Sequence, residues 1–83
     1  MSLTVVFRET ALRNLARLRS QDKDLFARTR RAVALLADQP YPQSAVAWGA
    51  TRIYRLHADD LRVLYEVDDE AGTVYIINIG VTS

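Results

Sequence analysis

Apolar residues change their spacing along this chain, and the changes mark its elements. Leu3 to Phe7 is a short β-branched and aromatic run, which predicts a strand. From Glu9 the step lengthens. Ala11, Leu12, Leu15 and Leu18 recur every three or four residues, with Arg13, Arg17 and Arg19 between them. That is the stripe of an amphipathic helix. Ser20-Gln21-Asp22 interrupts it, and either Ser20 or Asp22 can cap a following helix. Leu25, Phe26, Thr29, Ala32, Val33 and Leu36 trace a second stripe, with Arg28, Arg30 and Arg31 largely outside it. Asp38-Gln39-Pro40-Tyr41-Pro42 ends that helix, since proline lacks the amide to continue one and restricts the residue before it. With so short a connection the two helices should lie antiparallel.

The second half reads as strands. Residues 43–51 are expected to be a loop or irregular edge anchored by Trp48-Gly49. Residues 52–57 and 61–67 form a hairpin. Asp68-Asp69-Glu70-Ala71-Gly72 is a polar turn, with a glycine available for positive φ. Thr73 to Ile79 is a nearly continuous apolar run, as expected of a strand with both faces at least partly covered. The predicted fold is α+β, in the order β-α-α-β-β-β. Two antiparallel helices pack on one face of a mainly antiparallel four-stranded sheet. Residues 1–83 make a single domain.

The hairpin carries the chemistry. A strand alternates its side chains between faces, so Arg55 and His57 share one face and Tyr54, Leu56 and Ala58 the other. A two-residue turn at 58–59 or 59–60 makes the numbers of each cross-strand pair sum to an odd value. Arg62 and Leu64 then join Arg55 and His57, while Leu61, Val63, Tyr65 and Val67 join Tyr54 and Leu56. One face is apolar, and the other gathers two cations and the only histidine of the chain, a group suited to gripping a phosphate.

Charge sharpens this picture. The net charge is only +1, but residues 1–58 carry ten basic groups against four acidic ones, and residues 59–83 one against six. Such a split suits a surface for a polyanion; solvated helix surfaces give the same split. Eighty-three residues bury about 60–65% of their unfolded surface, a thin margin. With no cysteine there is no disulfide, thiolate metal site or cysteine nucleophile. No apolar run reaches a membrane span of ~20 residues, and the N-terminal residues lack the pattern of a secretory signal. A cytoplasmic protein is expected. Asp68-Asp69-Glu70 reads as a solvated turn rather than a ligand set, and no phosphate-loop or dinucleotide motif occurs. No metal or cofactor is expected.

Tyr54-Arg55-Leu56-His57, then Arg62-Val63-Leu64-Tyr65-Glu66-Val67, then Ile77-Asn78-Ile79-Gly80 follow the two helices in order. This ordered set resembles the RelE/ParE superfamily of toxins from bacterial type II toxin–antitoxin systems, over nearly the whole chain. The resemblance implies a toxin held by a cognate antitoxin in a toxin–antitoxin hetero-oligomer. In the RelE branch the toxin enters the ribosomal decoding site and cuts mRNA, which stops translation. In the ParE branch it poisons DNA gyrase. A third possibility is a member of weakened activity that serves mainly as the antitoxin's partner.

Carried over by position, Arg55 matches the first basic residue of the RelE site. His57 matches the second, where relatives often have Arg or Lys, and Arg62 matches the arginine opening the next strand. Relatives place a further arginine two residues beyond the Ile-Gly, where this sequence has Thr82, and often supply a Tyr or His in a C-terminal segment. Cleaving RNA without a metal needs a base for the 2′-hydroxyl, cations for the phosphorane and an acid for the leaving oxygen. The expected roles are phosphate binding by Arg55 and Arg62 and proton exchange by His57, imidazole being the side chain suited to that task. Arg28, Arg30, Arg31 and Arg52 are further candidates for RNA phosphates. The plainer reading stays open: Arg55 and Arg62 pair with Glu66, and the helix arginines are ordinary surface.

Overall fold

The computed structural model describes residues 2–49 and 52–82. β1 (Thr4–Phe7) leads into α1 (Glu9–Gln21) and α2 (Lys23–Asp38). Then come β2 (Ala45–Ala47), β3 (Ile53–Ala58), β4 (Leu61–Asp68) and β5 (Thr73–Val81). The five strands lie in the order β1-β5-β4-β3-β2. Every neighbouring pair is antiparallel except β1 with β5. The α+β architecture matches expectation, with one strand more. The segment read as an edge loop supplies the three residues of β2, paired Ala45 to Leu56 and Ala47 to Tyr54. Alternation is too short there to register as a strand. Ala50 and Thr51, in the same segment, lie outside the described residues.

Local signals account for the boundaries. Asp22, rather than Ser20, caps α2: its Oδ1 accepts from the Leu25 amide at 3.0 Å, satisfying one of the free N–H groups of the first turn. Ser20 instead donates back to the Arg17 carbonyl. Gln39 closes α2 before Pro40, its amide donating to the Leu35 carbonyl at 2.7 Å. In the 68–72 turn Asp68 accepts from the Ala71 amide at 3.0 Å, and Gly72 takes φ +65°, where a side chain is disfavoured.

The core lies between the helices and one face of the sheet. Ala11, Leu25, Val33 and Leu36 pack toward Leu56, Leu61, Val63, Tyr65, Val67, Val74, Ile76 and Ile79, all buried. Thr29 and Thr73 are its polar neighbours, and the fully buried Thr29 hydroxyl donates to the Leu25 carbonyl one turn back. Leu12, though on the predicted stripe, stands 52% exposed. The hairpin faces fall as predicted, with Tyr54 opposite Tyr65, Leu56 opposite Val63 and His57 opposite Arg62.

β5 departs from simple alternation. Leu64 pairs with Asn78 but Tyr65 pairs with Ile76, so Ile77 is an extra, unpaired residue. Its insertion lets even-numbered Val74 and Ile76 and odd-numbered Ile79 all point to the helices. The apolar run in β5 thus reflects both the bulge and the partial cover of the outer face, where Tyr75 is half-buried under Arg8. No described helix is long and apolar enough to cross a membrane.

Candidate nucleic-acid interface

The sheet face away from the helices is built in rows. Nearest the β3–β4 turn stand His57, Arg62 and Gly80. The next row is Val46, Arg55, Leu64 and Asn78. The third is Ile53, Glu66, Tyr75 and Val6. Successive rows are two residues apart along a strand, roughly 6.5–7 Å.

Arg55 and Arg62 are held in different ways. The Arg55 guanidinium lies 3.8 Å from the centre of the Trp48 ring, a cation–π contact that fixes its plane and leaves its N–H groups for another partner. Trp48 is itself seated by its amide, which donates to the Ile53 carbonyl at 2.8 Å, and the residue remains 47% exposed. Arg62 folds over the turn, where its Nη1 donates to the carbonyls of Asp59 (2.6 Å) and Leu61 (2.9 Å). Among the described residues no carboxylate pairs with either guanidinium. Glu66, the acid that alternation offers them, is engaged by Arg8 at 3.5 Å and Arg52 at 3.7 Å.

Both arginines line a cleft of about 370 Å³, together with Trp48, Leu64 and Asn78. Gly80, Val81 and Thr82 form its far wall. His57 shares the face and sits directly across from Arg62, but it does not line this cleft; its amide donates to the Ser44 carbonyl at 3.2 Å. Thr82, which stands where relatives carry an arginine, is tied to the turn: its amide donates to the Asp60 carbonyl at 2.8 Å and its hydroxyl to the same oxygen at 3.3 Å.

The other four arginine candidates do not join this group. Arg28 reaches from α2 to Asp60 at 2.9 Å and to the Ala58 carbonyl at 3.4 Å, pinning the hairpin turn to the helix layer. Arg30 and Arg31 lie exposed on α2 beside Phe26, Arg30 within cation–π range of its ring. Arg52 takes a left-handed φ of 72° and bridges Glu66 and Asp68. Asn78 and Gly80 are the cleft residues that hairpin periodicity does not single out. The available signal was an amide within an otherwise apolar strand.

The Arg28–Asp60 pair also carries a pH signature. The Arg28 hydrogen bond holds the Asp60 carboxyl below its ordinary pKa. A lowered carboxylate pKa contributes stability above the ordinary value, and that stability is lost as pH falls through the folded value. The melting temperature of Asp60→Asn should therefore lie below that of the wild type at neutral pH, with the gap closing in acid. A constant gap across the titration excludes the pair as its source.

Three tyrosines cluster on the helix-facing side of the hairpin. Tyr41 meets Tyr54 edge-on at 5.2 Å, and Tyr54 stacks on Tyr65 at 5.8 Å. Burial and the bond to Asp69 push the Tyr41 phenol up to about 12, and burial raises Tyr65 further. Both stay protonated near neutrality, so they serve packing and hydrogen bonding rather than acid–base work.

Solved structures of the same shape give the class of fold. The chain matches RelBE2, a toxin–antitoxin complex from Mycobacterium tuberculosis, with TM-score 0.83 and 22% identity, over 99% of this chain and 93% of that one. The intact RelBE toxin–antitoxin complex of E. coli matches with TM-score 0.81 and 19% identity, over 99% of each chain. The archaeal RelE–RelB complex from Pyrococcus horikoshii OT3 matches with TM-score 0.78 and 21% identity, over 98% of this chain and 96% of that one. At these identities the likeness carries the fold, which is that of the RelE toxins. The family model for the ParE toxin of type II toxin–antitoxin systems, parDE, matches residues 5–83, and the chain belongs to that family. A search of curated proteins finds no significant match.

Proposed function

We propose that this toxin is a RelE-like endoribonuclease that cuts ribosome-bound mRNA in the cytoplasm and so stops translation. The observation that carries the reading is the pair of guanidiniums, Arg55 and Arg62, turned to one cleft with no carboxylate partner among the described residues. Two guanidiniums without a carboxylate partner suit the oxygens of a phosphate, and planar, always-charged groups suit a phosphorane. His57, across the strand from Arg62, takes the proton of the 2′-hydroxyl as that oxygen attacks phosphorus. The P–O bond to the 5′ oxygen breaks, that oxygen takes a proton from solvent, and a 2′,3′-cyclic phosphate remains. The guanidiniums supply the positive charge, so the step calls for no metal. The ribosome aligns the substrate, which matters for a site as open as this one.

His57→Ala is expected to slow cleavage on programmed ribosomes by about 10²–10⁴-fold, the usual share of a general base, while leaving ribosome binding intact. Undiminished cleavage sinks the role of His57.

A cognate antitoxin is the natural partner, since the RelBE and RelE–RelB structures of the same fold are toxin–antitoxin complexes. The family match also favours a second reading, a ParE-like inhibitor of DNA gyrase without chemistry of its own. The position of His57 outside the cleft agrees with it. Expression in cells separates the two: cleaved transcripts and halted translation mark the first, DNA damage with intact transcripts the second.

A further inference from the structure

We propose that Arg28 is a positioning residue for the cleft: from the opposite side of the sheet, and through the β3–β4 turn, it sets the direction of the Arg62 guanidinium. The inference rests on the reading of Arg62 as a phosphate ligand. Arg62 has little else to aim it. On the outer face its cross-strand neighbours are His57 on β3 and Gly80 on β5. Gly80 has no side chain, and a Cβ built there would meet nothing within 4 Å. Among the described residues the only hydrogen bonds of the guanidinium run from Nη1 to the carbonyls of Asp59 and Leu61. Those bonds take both hydrogens of Nη1. Nε–H and the Nη2 pair remain as the fork that can meet phosphate oxygens. The direction of that fork therefore follows the direction of two turn carbonyls.

The turn does not set those carbonyls alone. Asp59 takes a left-handed φ of 57°, a region that residues with side chains rarely adopt. Such a conformation persists only where the surrounding structure holds it. Two clamps hold this one. From the end of β5, Thr82 donates its amide and its hydroxyl to the Asp60 carbonyl. From α2, the half-buried Arg28 donates through Nη2 to the Asp60 carboxylate at 2.9 Å and to the Ala58 carbonyl at 3.4 Å. Arg28 thus grips the residue on either side of Asp59. Relaxing Asp59 to a negative φ turns the Ala58–Asp59 peptide and carries the Ala58 carbonyl off Arg28. The same relaxation moves the Asp59 carbonyl relative to β4, and with it the anchor of Arg62. A helix residue on the far side of the sheet therefore decides how a cleft residue points.

The test compares the full-length toxin, freed of antitoxin, with Arg28→Met and Asp60→Ala. These variants break the link from opposite ends, so a folding failure in one leaves the other to decide. The first readout is the Arg62 Nε–H signal in NMR relaxation of the free protein. Its order parameter should fall in either variant to below about 0.6, the range of flexible groups. The second is cleavage on programmed ribosomes. The rate at saturation should drop about 10- to 100-fold, as a misplaced reacting group does, with the half-saturating concentration changed by less than about twofold. Arg28→Lys should restore part of the rate, since its ammonium can still meet the Asp60 carboxylate. Adding Arg28→Met to Arg62→Ala should cost nothing further, because Arg28 acts only through Arg62. Losses that multiply in the double variant overturn the proposal, as does an Arg62 signal that stays ordered in both single variants. A wild type that cuts no mRNA removes the nuclease reading, while loosening of Arg62 in the variants still upholds the role of Arg28.

Discussion

Arg55→Ala should lower mRNA cleavage on programmed ribosomes by about 10²–10³-fold, the usual loss on removing one preorganised charge donor, with the fold unchanged. Its guanidinium is the cleaner of the two to remove. Arg62 also holds the turn through the carbonyls of Asp59 and Leu61, so its loss mixes chemistry with local structure. Arg55 touches Trp48 from an open face, and an exposed cation–π contact is worth only ~0.5–1 kcal/mol. Thermal unfolding should thus barely shift while turnover collapses. Arg55→Lys should recover only part of the rate, because an ammonium keeps the charge but loses the fork and the stacking plane. Full activity in Arg55→Ala, measured by primer extension across the cut site, refutes the assignment of phosphate binding to this residue.

Tyr65→Ala is expected to cost about 3–5 kcal/mol, as truncating a buried aromatic does. The ring is fully buried at the centre of the hairpin's helix-facing side, stacked on Tyr54, and its hydroxyl donates to the Pro40 carbonyl at 2.7 Å. Truncation removes the packing and leaves that carbonyl without its partner. A domain of this size has roughly 4–12 kcal/mol in all, so the variant should be largely unfolded at 37 °C. Tyr65→Phe separates the two contributions, since it keeps the ring and should lose only about 1–2 kcal/mol. Urea denaturation measures both. A Tyr65→Phe loss as large as that of Tyr65→Ala would place the stabilisation in the hydroxyl instead of the ring.

Much of this was legible in the sequence because the hairpin obeys a period of two. Arg55, His57 and Arg62 fall on one face for any two-residue turn in the expected place, and the observed turn at Asp59-Asp60 is one of these. The helices were legible for a similar reason: a stripe of period 3.6 leaves few alternatives, and Asp22 and Pro40 carry their own boundary chemistry. β2 was not, because three residues show no period. The partner of Glu66 was not either. Periodicity offered Arg55 and Arg62, whereas Arg8 arrives from beyond the end of β1 and Arg52 from a left-handed turn residue. Arg28 read as one cation among several on a helix; only tertiary structure brings Asp60 to it. Asn78 was hidden because the bulge reverses which positions in β5 face outward.

That bulge makes β5 two short strands of opposite phase, spliced at Ile77. The first half sets its even positions on the core, and the second sets its odd ones there. Had the first pairing run on unbroken, Asn78 would stand opposite Val63 inside the core and Ile79 opposite Arg62 in the cleft. One surplus residue therefore decides whether the cleft wall is amide and glycine or bare hydrocarbon. The splice must fall before Asn78, since beyond it that amide would be buried opposite Val63. A single residue's worth of slack in β5 thus sets the chemistry of the cleft wall, independently of the hairpin beside it.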